Sequence, residues 1–171
     1  MRNRRAQTIA LSGLLASLML VFGLIERQFP LTMIAPGVKL GLANSVLLYS
    51  LYMLGKRQSV VLMLLKALMS WLIYMNMTSM LYSLAGGVLS MLAMMALMRV
   101  KDVSVIGVSA VGAVFFNIGQ VIMAAIVLNS PMLAVTYLPV LMVSGVVTGV
   151  LTGVVAQMVM KHLKTMGKNA R

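Results

Sequence analysis

The sequence has no cysteine, a single histidine and only two carboxylates in 171 residues. Without cysteine there is no disulfide, no iron–sulfur cluster and no thiolate metal site. The two acids, Glu26 and Asp102, fall in different connections between apolar runs. Magnesium-assisted diphosphate chemistry needs clustered acids to hold the ion, and general acid–base work needs a positioned pair. Neither is available. No glycine-rich phosphate loop ending in Lys-Ser or Lys-Thr is present, so no ATP site is visible. Ion-coupled pumps usually carry acids inside the membrane, and none is expected here. His162 sits in a basic tail and reads as solvated. No catalytic residue, metal site or cofactor is therefore expected.

Charge is scarce as well. Only 9% of residues are charged, against about 25% in a soluble domain. Hydrophobic residues make up 61%. Such a chain has too little polar surface for water, and the bilayer is the solvent that fits. A spanning helix takes roughly 20 apolar residues, so six spans with short loops consume nearly the whole length as one domain, 1–171. The Arg2-Asn3-Arg4-Arg5 start mimics a signal peptide. Its apolar run reaches Ile25 without a small-x-small cleavage site, so it reads as an uncleaved first helix.

The expected fold class is an all-α integral membrane protein, a six-transmembrane-helix bundle. Helices are expected at about 6–25, 38–54, 59–75, 80–98, 103–128 and 133–160. Membrane-embedded backbone must bond internally, so these runs have no other regular form. With the N-terminus inside, eleven of the fourteen Lys and Arg fall in inner segments. These are Arg2, Arg4, Arg5, Lys56, Arg57, Arg99, Lys101, Lys161, Lys164, Lys168 and Arg171. Arg27 and Lys39 lie outside, and Lys66 lies within a helix. That asymmetry places both termini in the cytoplasm. It also explains the net charge of +12 without nucleic acid, which is not an expected partner.

Lys66 is the sharpest single feature. It lies near the middle of helix 3, about nine residues, or roughly 14 Å, from the outer end. An ammonium at that depth costs on the order of 3 kcal/mol, so it must face a cavity or a partner. Ser70 and Tyr74 continue its stripe outwards. Two readings stand: a structural lysine bonded to carbonyls, or a contact for an anionic ligand. Asn117 and Gln120 share one face of helix 5, as interhelical glue or as pocket groups. Asn44 and Ser45 on helix 2 and Tyr82 on helix 4 lie at similar depth, with Lys39 at the mouth. Together they outline a ligand site opening outwards. Glu26 is expected to be too shallow to pair with Lys66.

Helix 6 carries Gly145, Gly149 and Gly153, each preceded by Ser or Thr. This small-residue face allows close helix approach. Helix 1 has shorter versions, Ser12 with Ala16 and Gly13 with Ser17. The nineteen methionines read as adaptable packing, because no acid, cysteine or histidine accompanies them to hold copper.

Four segments carry a resemblance. They are Pro36-Gly37-Val38-Lys39-Leu40-Gly41-Leu42-Ala43-Asn44, Leu81-Tyr82-Ser83-Leu84-Ala85-Gly86-Gly87, Asn117-Ile118-Gly119-Gln120 and Tyr137-Leu138-Pro139-Val140. Over nearly the whole chain it resembles the bacterial membrane family heptaprenyl diphosphate synthase component I, also called Gx transporter. Phe116 departs from the histidine expected before Asn117, and Lys66 stands where the pattern has a basic residue. The family is in turn similar to the substrate-binding components of energy-coupling-factor transporters. The resemblance implies a bacterial inner-membrane protein that binds a small micronutrient-like or isoprenoid-related ligand. Its partner would be an energy-coupling membrane subunit with ATPases. The alternative it implies is a non-catalytic accessory of polyprenyl diphosphate or quinone metabolism, partnered by a soluble prenyl synthase subunit.

Overall fold

A computed structural model describes residues 2–28 and 43–169, all in helices or the turns between them. Among the described residues there are six helices: α1 Arg2–Gln28, α2 Ala43–Met53, α3 Lys56–Tyr74, α4 Met77–Leu97, α5 Val105–Val127 and α6 Pro131–Asn169. Five are long and apolar enough to cross a membrane. The sixth, α2, is described over 11 residues, roughly 16 Å of helix; residues 38–42 of the expected 38–54 segment lie outside the described residues.

Local chemistry sets the ends. Gly55 turns the chain from α2 into α3 at φ 86°, a conformation that costs glycine little. Asn76 accepts from the Thr78 amide at 2.9 Å and starts α4. Ser104 accepts from the Gly107 amide at 3.0 Å and starts α5. Both satisfy amides that the first helical turn leaves open. Pro131 opens α6, where its missing N–H is no loss.

Several boundaries differ from expectation, two of them for a shared reason. Backbone hydrogen bonding continues through charged residues, which limit burial and not helicity. Thus α1 runs to Gln28, past Glu26, and α6 runs through the basic tail to Asn169. Helix α4 begins at Met77, so Ser79 is a buried helical residue and not part of an exposed turn.

From α2 onwards, short connections make successive helices antiparallel neighbours. Helices α1, α3, α4, α5 and α6 form a ring around α2, which packs on α1, α3, α5 and α6. Most of α2 is buried accordingly. The ring is tightest at α5–α6 and α4–α5 and least closed between α6 and α1.

Glycines explain the tight side. A Cβ added at Gly145 would lie 3.2 Å from Val114 Cα, one at Gly149 2.6 Å from Ala110 Cα, and one at Gly153 2.9 Å from Ile106 Cα. The face of α6 therefore meets α5 backbone to backbone. The opposite side of α5 does the same with α4: a Cβ at Gly119 would meet Ala85 O at 2.7 Å, and one at Gly86 would meet Phe116 O at 2.7 Å. Gly13 has open space around it, and Ser17 bonds back to the Gly13 carbonyl at 3.0 Å on the exposed side. That small pair on α1 is not a packing face.

Candidate functional site

Lys56, Arg57, Arg99, Lys101 and Lys161 fall at span ends and turns on one end of the bundle, and Arg27 falls at the other. The candidate polar site belongs to the other half. Its centre is Lys66, only 6% exposed. The Lys66 Nζ donates to Asn44 Oδ1 at 2.5 Å, joining α3 to α2. It also sits 4.1 Å from the centroid of the Phe116 ring on α5. The ring face is electron-rich and attracts the ammonium. Phe116, where the family pattern led us to expect histidine, is completely buried and forms an apolar floor for the charge.

Glu26 is the main correction to the sequence reading. It is 6% exposed, inside α1, and lines the same small cavity as Lys66. The spacing Met19–Gly23–Glu26 puts all three on one face of α1, and all three line this cavity. Ala43, Met69, Ser70, Ile73 and Tyr74 complete it. A carboxylate and an ammonium thus share one enclosure between α1, α2 and α3. Its volume is about 10 Å³, room for about a single water.

The other expected site residues divide. Asn44 belongs to the cluster through Lys66. Its amide nitrogen is buried and has no hydrogen-bond partner among the described residues. Asn117 donates to the Leu141 carbonyl of α6 at 2.6 Å, and Gln120 donates to Asn117 Oδ1 at 3.4 Å. These amides join α5 to α6, and neither lines the Lys66 cavity. Tyr82 is buried on α4 and is not among the cavity residues either. Lys39 lies outside the described residues. Among the contacts described, Asn44 pairs with Lys66 and Asn117 with Gln120 and α6, while the Phe116 ring packs against the Lys66 ammonium.

A second feature was not foreseen. An apolar groove of about 290 Å³ lies between α1, α2 and α6. Leu11, Leu14, Leu15, Leu18 and Phe22 form one wall, Val155, Ala156 and Val159 the other, and Ser45, Val46 and Tyr49 the floor. It occupies the loosely closed seam of the ring, with a side open towards the bilayer. Groove and cavity adjoin: Leu15 of the groove precedes Met19 of the cavity by one turn of α1, and Val46 follows Ala43 by one turn of α2. No motif announces such a gap, because it arises between helices far apart in sequence.

Among the described residues, no three His, Cys, Asp or Glu come together to hold a metal ion. Glu26 and Asp102 stand at opposite ends of the bundle.

No curated protein and no solved structure matches the chain. Neither comparison gives a likeness to energy-coupling-factor components. The family model described as heptaprenyl diphosphate synthase component I matches residues 15–159. Nearly all of the helical bundle falls within that match, and the chain belongs to this family.

Proposed function

We propose that the chain is the membrane-embedded, non-catalytic component of a polyprenyl diphosphate assembly, holding the isoprenoid chain while a separate synthase subunit performs the chemistry. The observation that carries this reading is the α1/α2/α6 groove, apolar on every wall and open to the bilayer. An isoprenoid is apolar along its length, and apolar ligands favour concave apolar sites. The family's description as a synthase component supports a catalytic partner. Two acids at opposite ends supply no shared metal site within this chain. The apolar groove, at about 290 Å³, is far roomier than the polar cavity at Lys66, at about 10 Å³, which favours an apolar ligand over a small polar one. The accessory reading is therefore preferred.

A farnesol-based photoprobe tests it on the purified chain in lipid nanodiscs. Labelling should concentrate on peptides covering Leu11–Phe22 and Val155–Val159. An Ala156→Phe variant, which fills the groove, should reduce labelling at least fivefold. Label spread evenly over lipid-facing side chains such as Leu64, Leu68 and Leu92 would reject the groove.

The six helices act in this reading as one transmembrane domain in a bacterial inner membrane, with both termini cytoplasmic. The gathering of basic residues at one end supports that orientation. A cysteine at Met77, exposed at the opposite end, should react with an impermeant thiol reagent in intact cells. A cysteine at Val100, exposed at the basic end, should react only after permeabilisation. The reverse pattern would invert the protein in the membrane.

A further inference from the structure

We infer that Lys66 and Asn44 form a head-group subsite continuous with the apolar groove, receiving the phosphate of an isoprenoid, and that Glu26 is a built-in competitor for that phosphate. The inference rests on the isoprenoid-holding reading and adds to it a polar anchor and a means of regulation.

The geometry around Asn44 comes first. Its Oδ1 is engaged by the Lys66 ammonium. That fixes the amide and directs Nδ2 elsewhere, where it has no acceptor among the described residues. Asn44 is 6% exposed, so bulk water is not a ready substitute. A buried donor without an acceptor is costly, and here it stands beside a buried cation. Asn44 does not line the cavity as it stands, so a phosphate oxygen reaches its amide and the ammonium together only when the cavity opens. That oxygen accepts from the amide and from the ammonium, and charge-assisted bonds of this kind are the stronger sort.

The Glu26 carboxylate supplies the second part. It lines the cavity with Lys66, so the closed site contains one negative and one positive group. An entering phosphate brings negative charge next to that carboxylate, in a setting where like charges are poorly screened. The cavity is also too small for a phosphate as it stands, with a volume of about 10 Å³. Binding therefore requires the Glu26 end of α1 to yield. This helix is suited to that, because only 17% of its apolar window is buried, the lowest share among the five long spans. Movement of α1 would open the cavity and the groove together, since α1 walls both. The chain lies in the groove, the phosphate at its Glu26-side end, and the carboxylate guards the anchor until an anion displaces it.

The test uses the full chain in nanodiscs and compares farnesyl diphosphate, farnesol, inorganic diphosphate and dioleoyl phosphatidate. Affinity is read by calorimetry. The wild type should bind farnesyl diphosphate at least tenfold more tightly than farnesol, and more tightly than the other two. Lys66→Met should abolish that preference while farnesol affinity is kept, which also reports a folded groove. Asn44→Leu should reduce the preference in the same direction. Glu26→Gln should tighten farnesyl diphosphate binding at least threefold and leave farnesol unchanged. Opposite signs at Lys66 and Glu26 are not expected if the pair is merely structural. Equal binding of farnesol and farnesyl diphosphate by the wild type would overturn the head-group subsite and leave the groove standing. Equal competition by phosphatidate would overturn the isoprenoid assignment. Weaker or unchanged diphosphate binding in Glu26→Gln would overturn the competitor role. Failure of the wild type to bind either isoprenoid would reject the groove reading itself.

Discussion

Replacing Gly149 with leucine should prevent the bundle from closing. A Cβ at this position lies 2.6 Å from Ala110 Cα and 3.0 Å from the Ser109 carbonyl oxygen. Those are backbone atoms of α5, which cannot rotate away as a side chain would. The helices would have to separate along a seam that also carries the Asn117–Leu141 and Ser109–Thr152 hydrogen bonds. Overpacking costs about 1–3 kcal/mol, and a clash with backbone belongs at the upper end, which corresponds to a fall in Tm of about 6–12 °C. The check is thermal unfolding of the purified variant beside Gly13→Leu. Gly13 has nothing within 4 Å of its added Cβ, so that variant should unfold with the wild type. If Gly149→Leu matches the wild type as well, α5 and α6 do not pack through this face.

Phe116→Ala should be nearly as damaging, by the opposite route. The ring is fully buried and packs close to Gly86, where an added Cβ would meet ring carbon Cδ2 at 2.8 Å. Truncation leaves a void where three helices meet, at a cost of about 3–5 kcal/mol. The ring also faces the Lys66 ammonium at 4.1 Å, an attraction of about 0.5–2 kcal/mol. The two contributions separate in a double-mutant cycle with Phe116→Leu and Lys66→Met. Phe116→Leu keeps most of the volume, so its cost should shrink by about the cation–ring attraction once the ammonium is gone. A Phe116→Leu cost independent of residue 66 would reduce the ring to filler.

The sequence made the helices legible because hydropathy and the positive-inside bias both act on composition, which needs no tertiary knowledge. The α6 glycines were legible for a related reason: Gly145, Gly149 and Gly153 repeat at helical spacing. Lys66 could be recognised as interior because lipid does not tolerate an ammonium at that depth. Its partners were harder. On sequence alone Glu26 is a connection residue, since its charge follows the apolar run that ends at Ile25. The overlooked signal was the Met19–Gly23–Glu26 stripe, which continues one face of α1 past the apolar run. Asn117 and Gln120 pointed inwards as expected, but depth does not distinguish a pocket from an interhelical bond, and α6 takes them up. The groove had no local signature at all. It is defined by what α1 and α6 do not fill, and only their placement around α2 reveals it.

The reach of α6 has a consequence for the membrane itself. Its apolar span, Val135–His162, covers 28 residues, roughly 42 Å along the axis, whereas the hydrocarbon layer is about 30 Å thick. A span that overshoots must lean, or hold its last turns among the lipid headgroups. If α6 leans, α5 goes with it, because the two meet backbone to backbone, whereas α1 across the seam is held to α6 only weakly. Bilayer thickness then sets the divergence between these walls, and with it the width of the gap at Val155 and Val159. Lipid chain length becomes a control on access to the protein's interior, exerted without contact to Lys66 or Glu26.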